Sequence, residues 1–310
     1  MTEKRMFKSV KVPESKGLRR LYALLAIVGV QLFLVIGSAL GESLLGGMIA
    51  LLPGEWLQTL LFTIDPILLS LVVFLVPSTL VCLWVGFVEK RSVSGLGFFK
   101  KRAIFELLKG FFIGVLLIGT VVGLQVLSGS IELTRLDFSV ANLMSLILIL
   151  PFWFIQSGTE ELITRGWLFP VVSRNSNLLI GTAVSSFLFA VLHLANPSVS
   201  WISLLNISLF GLLACLYVLK TDNIWGIAAI HTAWNYFQGS FFGLNVSGIS
   251  TSYATMSFQI GAVPDYLSGG NFGLEGSLIA SAVLLASILY LSWSLFGKKE
   301  FSSYSLENKN

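Results

Sequence analysis

Residues 66–88 read PILLSLVVFLVPSTLVCLWVGFV and contain no charged side chain. About 20 apolar residues in a helix cross roughly 30 Å of hydrocarbon, so this stretch predicts a transmembrane helix. An uninterrupted apolar run favours a helix over a strand of a closed barrel. Similar runs lie near 21–40, 105–128, 142–172, 178–196, 199–219, 223–240 and 277–296. The predicted fold is therefore an all-α, polytopic bundle of about eight transmembrane helices.

The composition also indicates an integral membrane protein. Of 310 residues, 55% are hydrophobic and only 12% are charged, whereas soluble domains carry about 25% charged residues. Cys82 and Cys215 both fall within predicted spans, so we expect no disulfide framework. The net charge of +4 does not indicate a nucleic-acid partner, because the basic residues follow the topology of the chain.

Lysine and arginine alternate between the loops. Seven precede the first span and six lie at 90–109, whereas 41–65, 129–141 and 241–276 together hold one basic residue, Arg135, against seven acidic ones. Positive charge marks the cytoplasmic side of a membrane protein. Both termini are therefore predicted to be cytoplasmic, and a bacterial plasma membrane is the expected location.

The chain is predicted to consist of two terminal tails and a transmembrane bundle between them. Residues 1–20 are predicted to be a basic, poorly ordered cytoplasmic tail, 21–296 the transmembrane bundle, and 297–310 a second cytoplasmic tail. The chemistry-bearing residues concentrate at about 142–240. We find no internal repeat of the kind that builds transporters from inverted halves.

Polar residues interrupt three of the apolar runs. The interruptions are Glu160-Glu161-Leu-Ile-Thr-Arg165, Phe189-Ala-Val-Leu-His193 and His231-Thr-Ala-Trp-Asn235. Ionisable groups at membrane depth are costly and by default functional. A rise of about 1.5 Å per residue puts Glu160, His193 and His231 roughly 21, 22 and 12 Å from the cytoplasmic edge. The three groups can therefore meet at one level, in a site that we expect to open toward the cytoplasm.

The two glutamates are expected to act differently. Glu161 and Arg165 stand four residues apart on one helix face, and their pairing is interpreted as structural. Glu160 is turned by about 100° from Glu161 on the helical wheel and has no obvious local partner. Such a carboxylate in an apolar wall holds protons more readily than in water, which suits a general base.

The histidines complete the predicted site. His231 and Asn235 share a helix face and offer two donors to one point, as an oxyanion requires. His193 could share the water of Glu160. Taken singly, each histidine could equally be a hydrogen bond between helices, Asn235 a packing contact and Phe189 a core aromatic.

These three fragments, complete and in order, resemble the signature of the CAAX-protease and bacteriocin-processing (CPBP) family of intramembrane proteases. The resemblance covers roughly residues 142–240 and implies eight spans with internal termini. It implies that Glu160 activates water, that His193 assists it, and that His231 with Asn235 holds the oxyanion. Glu161, Arg165 and Phe189 would support the site. The implied partners are the lipid bilayer and a membrane-associated protein or peptide substrate.

Two questions stay open at this stage. A His193, His231 and Glu160 set would match a catalytic zinc site with two histidines and a glutamate. A metal-free water activated by glutamate is the rival, and it is favoured because an amide such as Asn235 is a poor zinc ligand. The alternatives to an endopeptidase are a non-catalytic membrane scaffold or bacteriocin self-immunity protein, and a proton-coupled transporter.

Overall fold

A computed structural model describes residues 4–56, 66–251 and 254–297 of the chain and shows a polytopic helical bundle. Within these ranges, six helices are long and apolar enough to cross a membrane. Many of their large apolar side chains are exposed, as in a protein surrounded by lipid. The helices are α1 Arg5–Lys8, α2 Lys16–Ala50, α3 Pro66–Val88, α4 Ala103–Leu127, α5 Val140–Asn175, α6 Leu178–Val191, α7 Trp201–Thr221, α8 Trp225–Tyr236 and α9 Leu278–Phe296.

Two of the eight predicted spans are shorter than expected. Helix α6 has 14 residues, about 21 Å of helix, and ends before the predicted boundary near 196. Helix α8 has 12 residues and continues as a π-helix over Phe237–Phe241. Both helices occur where the sequence predicts them, but the number of complete crossings and the side of the termini stay predictions.

Helices α3 and α5 are each built from several segments. In α3, Pro66–Val72 and Leu75–Leu83 are α-helical and Trp84–Val88 is π-helical. In α5, Val140–Glu161 and Phe169–Asn175 are α-helical and enclose the π-helical segment Leu162–Leu168. Wide turns of this kind are frequent at functional sites. The π-helical segment of α5 begins directly after Glu160 and Glu161.

We name the two ends of the bundle by their charge. The base-rich end contains 4–20, 89–102, 174–177 and 220–224, and the base-poor end contains 42–56, 128–139 and 242–277. At the base-poor end, strand β1 (Ile131–Leu136) pairs antiparallel with β2 (Met256–Ile260). One short helical turn, Val93–Leu96, lies at the base-rich end. Three more lie at the base-poor end: Asp265–Ser268, Gly270–Phe272 and Leu274–Gly276.

The prediction of a poorly ordered N-terminal tail is wrong for residues 4–20. The side chains of Met6, Phe7 and Val10 are buried, and Asp222 accepts hydrogen bonds from the backbone N–H groups of Arg5 at 3.0 Å and Met6 at 3.3 Å. Apolar residues between the charges explain the difference, because they bury against the bundle. The C-terminal tail lies, apart from Gly297, outside the described residues.

Helices α4 and α8 cross at very short range. A Cβ atom at Gly110 would collide with the Gly226 carbonyl, and one at Gly114 would lie 2.5 Å from the Ile230 carbonyl oxygen. Small residues allow this close approach of backbones, which is typical of helix packing in membranes. Every α8 residue from Gly226 to Tyr236 is buried. The glycines therefore hold the helix that carries His231 and Asn235 tightly against α4.

Candidate active site

The structure brings the three polar fragments together around one cavity of about 740 Å³. Glu160 projects from α5, His193 follows the end of α6, and His231 and Asn235 project from α8; all four line this cavity. The predicted meeting of three separate helices at one level is therefore present.

Glu161 links two of the fragments. Its Oε1 accepts hydrogen bonds from Arg165 Nη1 at 3.1 Å and from His231 Nδ1 at 3.0 Å, and neither Glu161 nor Arg165 is exposed. The predicted Glu161–Arg165 pair is thus formed, and it also binds His231. A carboxylate on Nδ1 fixes the orientation of the imidazole ring. The other ring nitrogen, Nε2, then points toward Glu160, 3.8 Å from its Oε2.

The sequence analysis was wrong in giving Glu160 no local partner. Gln156 Nε2, one helical turn earlier, donates to Glu160 Oε1 at 2.7 Å. The other oxygen, Oε2, is buried and has no hydrogen-bond partner among the described residues. Gln156 therefore fixes one carboxylate oxygen and leaves the second free to act on a substrate or water.

Gln156 also binds Asn235. The Asn235 amide Nδ2 donates to Gln156 Oε1 at 3.1 Å and to Ser157 Oγ at 3.3 Å. His231 and Asn235 were expected to offer two donors to one point, and both amide hydrogens of Asn235 have acceptors in the structure. An oxyanion would have to replace one of these acceptors.

Aromatic rings surround the histidines. The Phe189 ring lies 4.9 Å from that of His193 and 5.8 Å from that of His231, and the Arg165 guanidinium stacks 4.3 Å above it. His193 Nδ1 also contacts the Phe189 carbonyl oxygen at 2.8 Å. Phe189 is therefore both a core aromatic and the residue that sets the position of His193.

Glu275 is a site residue that the sequence analysis missed. It lines a small cavity of about 20 Å³ together with His193, His231 and Asn235. Its Oε2 accepts hydrogen bonds from Ser247 N–H at 2.7 Å and Ser247 Oγ at 3.0 Å. Burial raises the pKa of Glu275 above its ordinary value. No signal in the sequence could have found it, because Glu275 lies in a loop 40 residues after Asn235.

The residues do not form an evident metal site. Glu161 engages Nδ1 of His231 and the Phe189 carbonyl engages Nδ1 of His193, so these contacts leave Nε2 of both rings free, as it is in metal-bound histidines. Among residues 4–56, 66–251 and 254–297 no group of three His, Cys, Asp or Glu side chains is arranged to hold a metal ion. The zinc set of Glu160, His193 and His231 considered from the sequence is thus not assembled in the structure.

Comparison with known proteins gives one match. Residues 142–237, about a third of the chain, match the family model described as type II CAAX prenyl endopeptidase Rce1-like. This segment is similar to that family, which agrees with the resemblance to the CPBP family of intramembrane proteases. No curated protein and no solved structure matches the chain.

The cavity extends toward the base-poor end of the bundle. Its lining includes Glu42, Pro66 and Ser250, which all lie at that end, and no residue from 89–102, 174–177 or 220–224. This differs from the expected opening on the basic side. The expectation rested on depth along single helices, which does not show at which end the bundle is closed by packing.

We expect Gln156→Leu to lower turnover by about fivefold with little change in KM, because the hydrogen bond that orients Glu160 contributes about 1 kcal/mol. The bond from Asn235 to Gln156 does not add to this loss, since the oxyanion would replace it. Steady-state kinetics of the purified variant would measure this. Gln31 on α2 lines the same cavity, so Gln31→Leu is the matched control. An equal loss in both variants would count against a positioning role of Gln156.

Proposed function

We propose that the protein is an intramembrane endopeptidase that hydrolyses a membrane-associated protein or peptide with water activated by Glu160. The observation that carries the proposal is the unpartnered Glu160 Oε2, which faces His231 Nε2 at 3.8 Å in the wall of a cavity. Because the two groups border the same small space, a water on Glu160 would lie beside a carbonyl oxygen bound by His231, which suits attack of that water on the carbonyl carbon.

The chemistry follows in two steps. Glu160 removes a proton from water as the water oxygen bonds to the peptide carbonyl carbon, and the carbonyl π electrons move to the carbonyl oxygen. The tetrahedral intermediate then collapses, the C–N bond breaks, and Glu160 returns the proton to the leaving nitrogen. His193 lines the same cavity and would hold the water, a role that the resemblance to the family also implies.

His231 and Asn235 would stabilise the oxyanion. Glu161 holds the His231 ring with Nε2 directed toward Glu160, where it can donate to a substrate oxygen. Asn235 would exchange its hydrogen bond to Gln156 for one to the substrate oxygen. His231 is already held in position, so its donation costs little reorganisation during the reaction.

A comparison of cell membranes tests whether there is a substrate. Membranes with the wild type and with Glu160→Ala would be compared by quantitative proteomics for peptides cut only in the presence of the wild type. A set of wild-type-dependent fragments would support the endopeptidase. Identical peptide profiles, with both proteins folded and abundant, would favour the scaffold or immunity alternative.

Asn235→Ala is expected to slow turnover by roughly 10²–10³-fold, the usual effect of losing one oxyanion donor. The substrate identified by proteomics would be assayed with the purified variant. Asn177→Ala removes the same amide from the N-terminus of α6 and serves as the control.

The same assay distinguishes the donor role from zinc ligation. The wild type is expected to stay active after exhaustive chelation, because the proposed steps use only side chains. Stoichiometric zinc in an active preparation, with activity lost on chelation and restored by zinc, would contradict the metal-free mechanism.

A further inference from the structure

We propose that the catalytic cavity receives its peptide from the extracytoplasmic side of the membrane. This inference rests on the proposed endopeptidase and names the side on which its substrate lies. Three observations carry it: the lining of the cavity, the packing of the opposite end, and the distribution of charge.

The lining residues place the mouth of the cavity. Helix α2 contributes its later part, including Ser38 and Glu42, and α3 contributes its first turns, from Pro66 to Phe74. The loop after α8 contributes Ser247 and Ser250. Because α2 and α3 run in opposite directions, the end of one and the start of the other lie at the same, base-poor end of the bundle. The site is therefore reached from there.

The rim of the mouth is held in place. Ser247 donates to the buried Glu275 carboxylate, and its carbonyl oxygen accepts from Asn196 Nδ2 at 2.9 Å. The neighbouring Gly248 N–H donates to the Phe272 carbonyl at 2.8 Å. Hydrogen bonds to two other loops, one before α7 and one before α9, thus fix the segment beside His193. A fixed rim keeps the cavity open at this end.

The base-rich end is closed. Buried side chains of Met6, Phe7 and Leu96 fill it, and the Phe7 ring packs edge-on against Phe169 of α5 at 5.2 Å. The Ile224 N–H donates to the Gly97 carbonyl at 3.2 Å, which ties the start of α8 to the loop after α3. A substrate approaching from this end would have to displace the packed N-terminal segment.

Charge assigns the two ends to the two sides of the membrane. Segments 41–65, 129–141 and 241–276 hold one basic residue, whereas seven precede α2 or lie in its first turns and six lie at 90–109. Since positive charge stays on the cytoplasmic side, the open end faces outward.

The lining contains Glu42 and Glu160 but no lysine or arginine. The cavity therefore suits an apolar or cationic peptide segment and disfavours an acidic one.

Labelling of single added cysteines in intact cells tests the inference. Ser250→Cys would place an exposed thiol at the rim, and Ser94→Cys would place one at the closed, base-rich end. A membrane-impermeant maleimide should label Ser250→Cys in intact cells and Ser94→Cys only after permeabilisation. The wild type gives the background, because Cys82 and Cys215 lie on helices within the bundle.

The reverse labelling pattern would overturn the inference. Labelling does not depend on proteolysis, so an inactive but outward-facing protein would contradict the proposed function alone. If Ser250→Cys is poorly expressed, Glu42→Cys on α2 offers a second position at the same mouth. Labelling of Glu42→Cys only after permeabilisation would count equally against an outward-facing cavity.

Discussion

Glu160→Gln is expected to lower the cleavage rate by roughly 10²–10⁴-fold, the range for loss of a general base, while the protein stays folded. Glutamine keeps the shape of the side chain, and its carbonyl oxygen can still accept from Gln156 Nε2, but its amide nitrogen cannot take a proton from water. Single-turnover assays of the purified variant would measure the loss, and thermal unfolding in detergent would verify the fold.

Glu42→Gln is the matched control for this substitution. Glu42 is the other carboxylate in the cavity lining, but it lies on α2 at the mouth, away from the histidines. Its removal should leave the chemical step nearly as fast as in the wild type. Substantial cleavage by a folded Glu160→Gln protein would remove Glu160 from the mechanism.

Arg165→Ala is expected to cost about 3–5 kcal/mol of stability, the usual penalty for removing one partner of a buried ion pair. The substitution leaves Glu161 charged in a site with no exposure and also removes the cation that stacks on Phe189. The expected result is loss of folded, monodisperse protein in detergent. Fluorescence-detected size-exclusion chromatography would measure this loss.

A double variant separates the effect of the unpaired charge on stability from the effect of the lost side-chain volume. Glu161→Gln combined with Arg165→Met removes both charges and keeps similar volumes, which is often nearly neutral for buried pairs. It should therefore recover much of the stability that Arg165→Ala loses. An Arg165→Ala protein as thermostable as the wild type but inactive would instead place Arg165 in the substrate site.

Local spacing predicted the parts of the site that depend on one helix. The four-residue separation of Glu161 and Arg165 predicted their contact, although it did not predict the π-helical turn between them. The same rule would have found Gln156, four residues before Glu160, had polar neutral residues been considered. The helical bundle also followed from apolar runs, since lipid leaves few other structures possible.

Features that depend on distant segments were not predictable. Met6 and Phe7 are buried against α5, which lies more than 80 residues further along the chain. Glu275 lies beside the histidines, about 40 residues after His231. Hydrophobic periodicity reports which side of a helix is apolar, and not which loop covers its end. The sequence therefore gives the depth of the site along each helix, but not the end at which the cavity opens.

The glycines between α4 and α8 decide which wall of the cavity can give way to a substrate. Gly110 and Gly114 leave no free space between the two backbones, so α8 can neither slide nor rotate without a clash. By contrast, α2 buries only Ala26, Val30, Gly37 and Gly41 along 35 residues, and Gly37 and Gly41 pack against α3, where a Cβ atom would lie 2.8 Å from Pro77 and from Val73. Elements with few buried contacts are the ones that move at low cost. We therefore expect a bound peptide to widen the cavity by moving α2 together with α3, while the reacting groups on α5 and α8 keep their spacing.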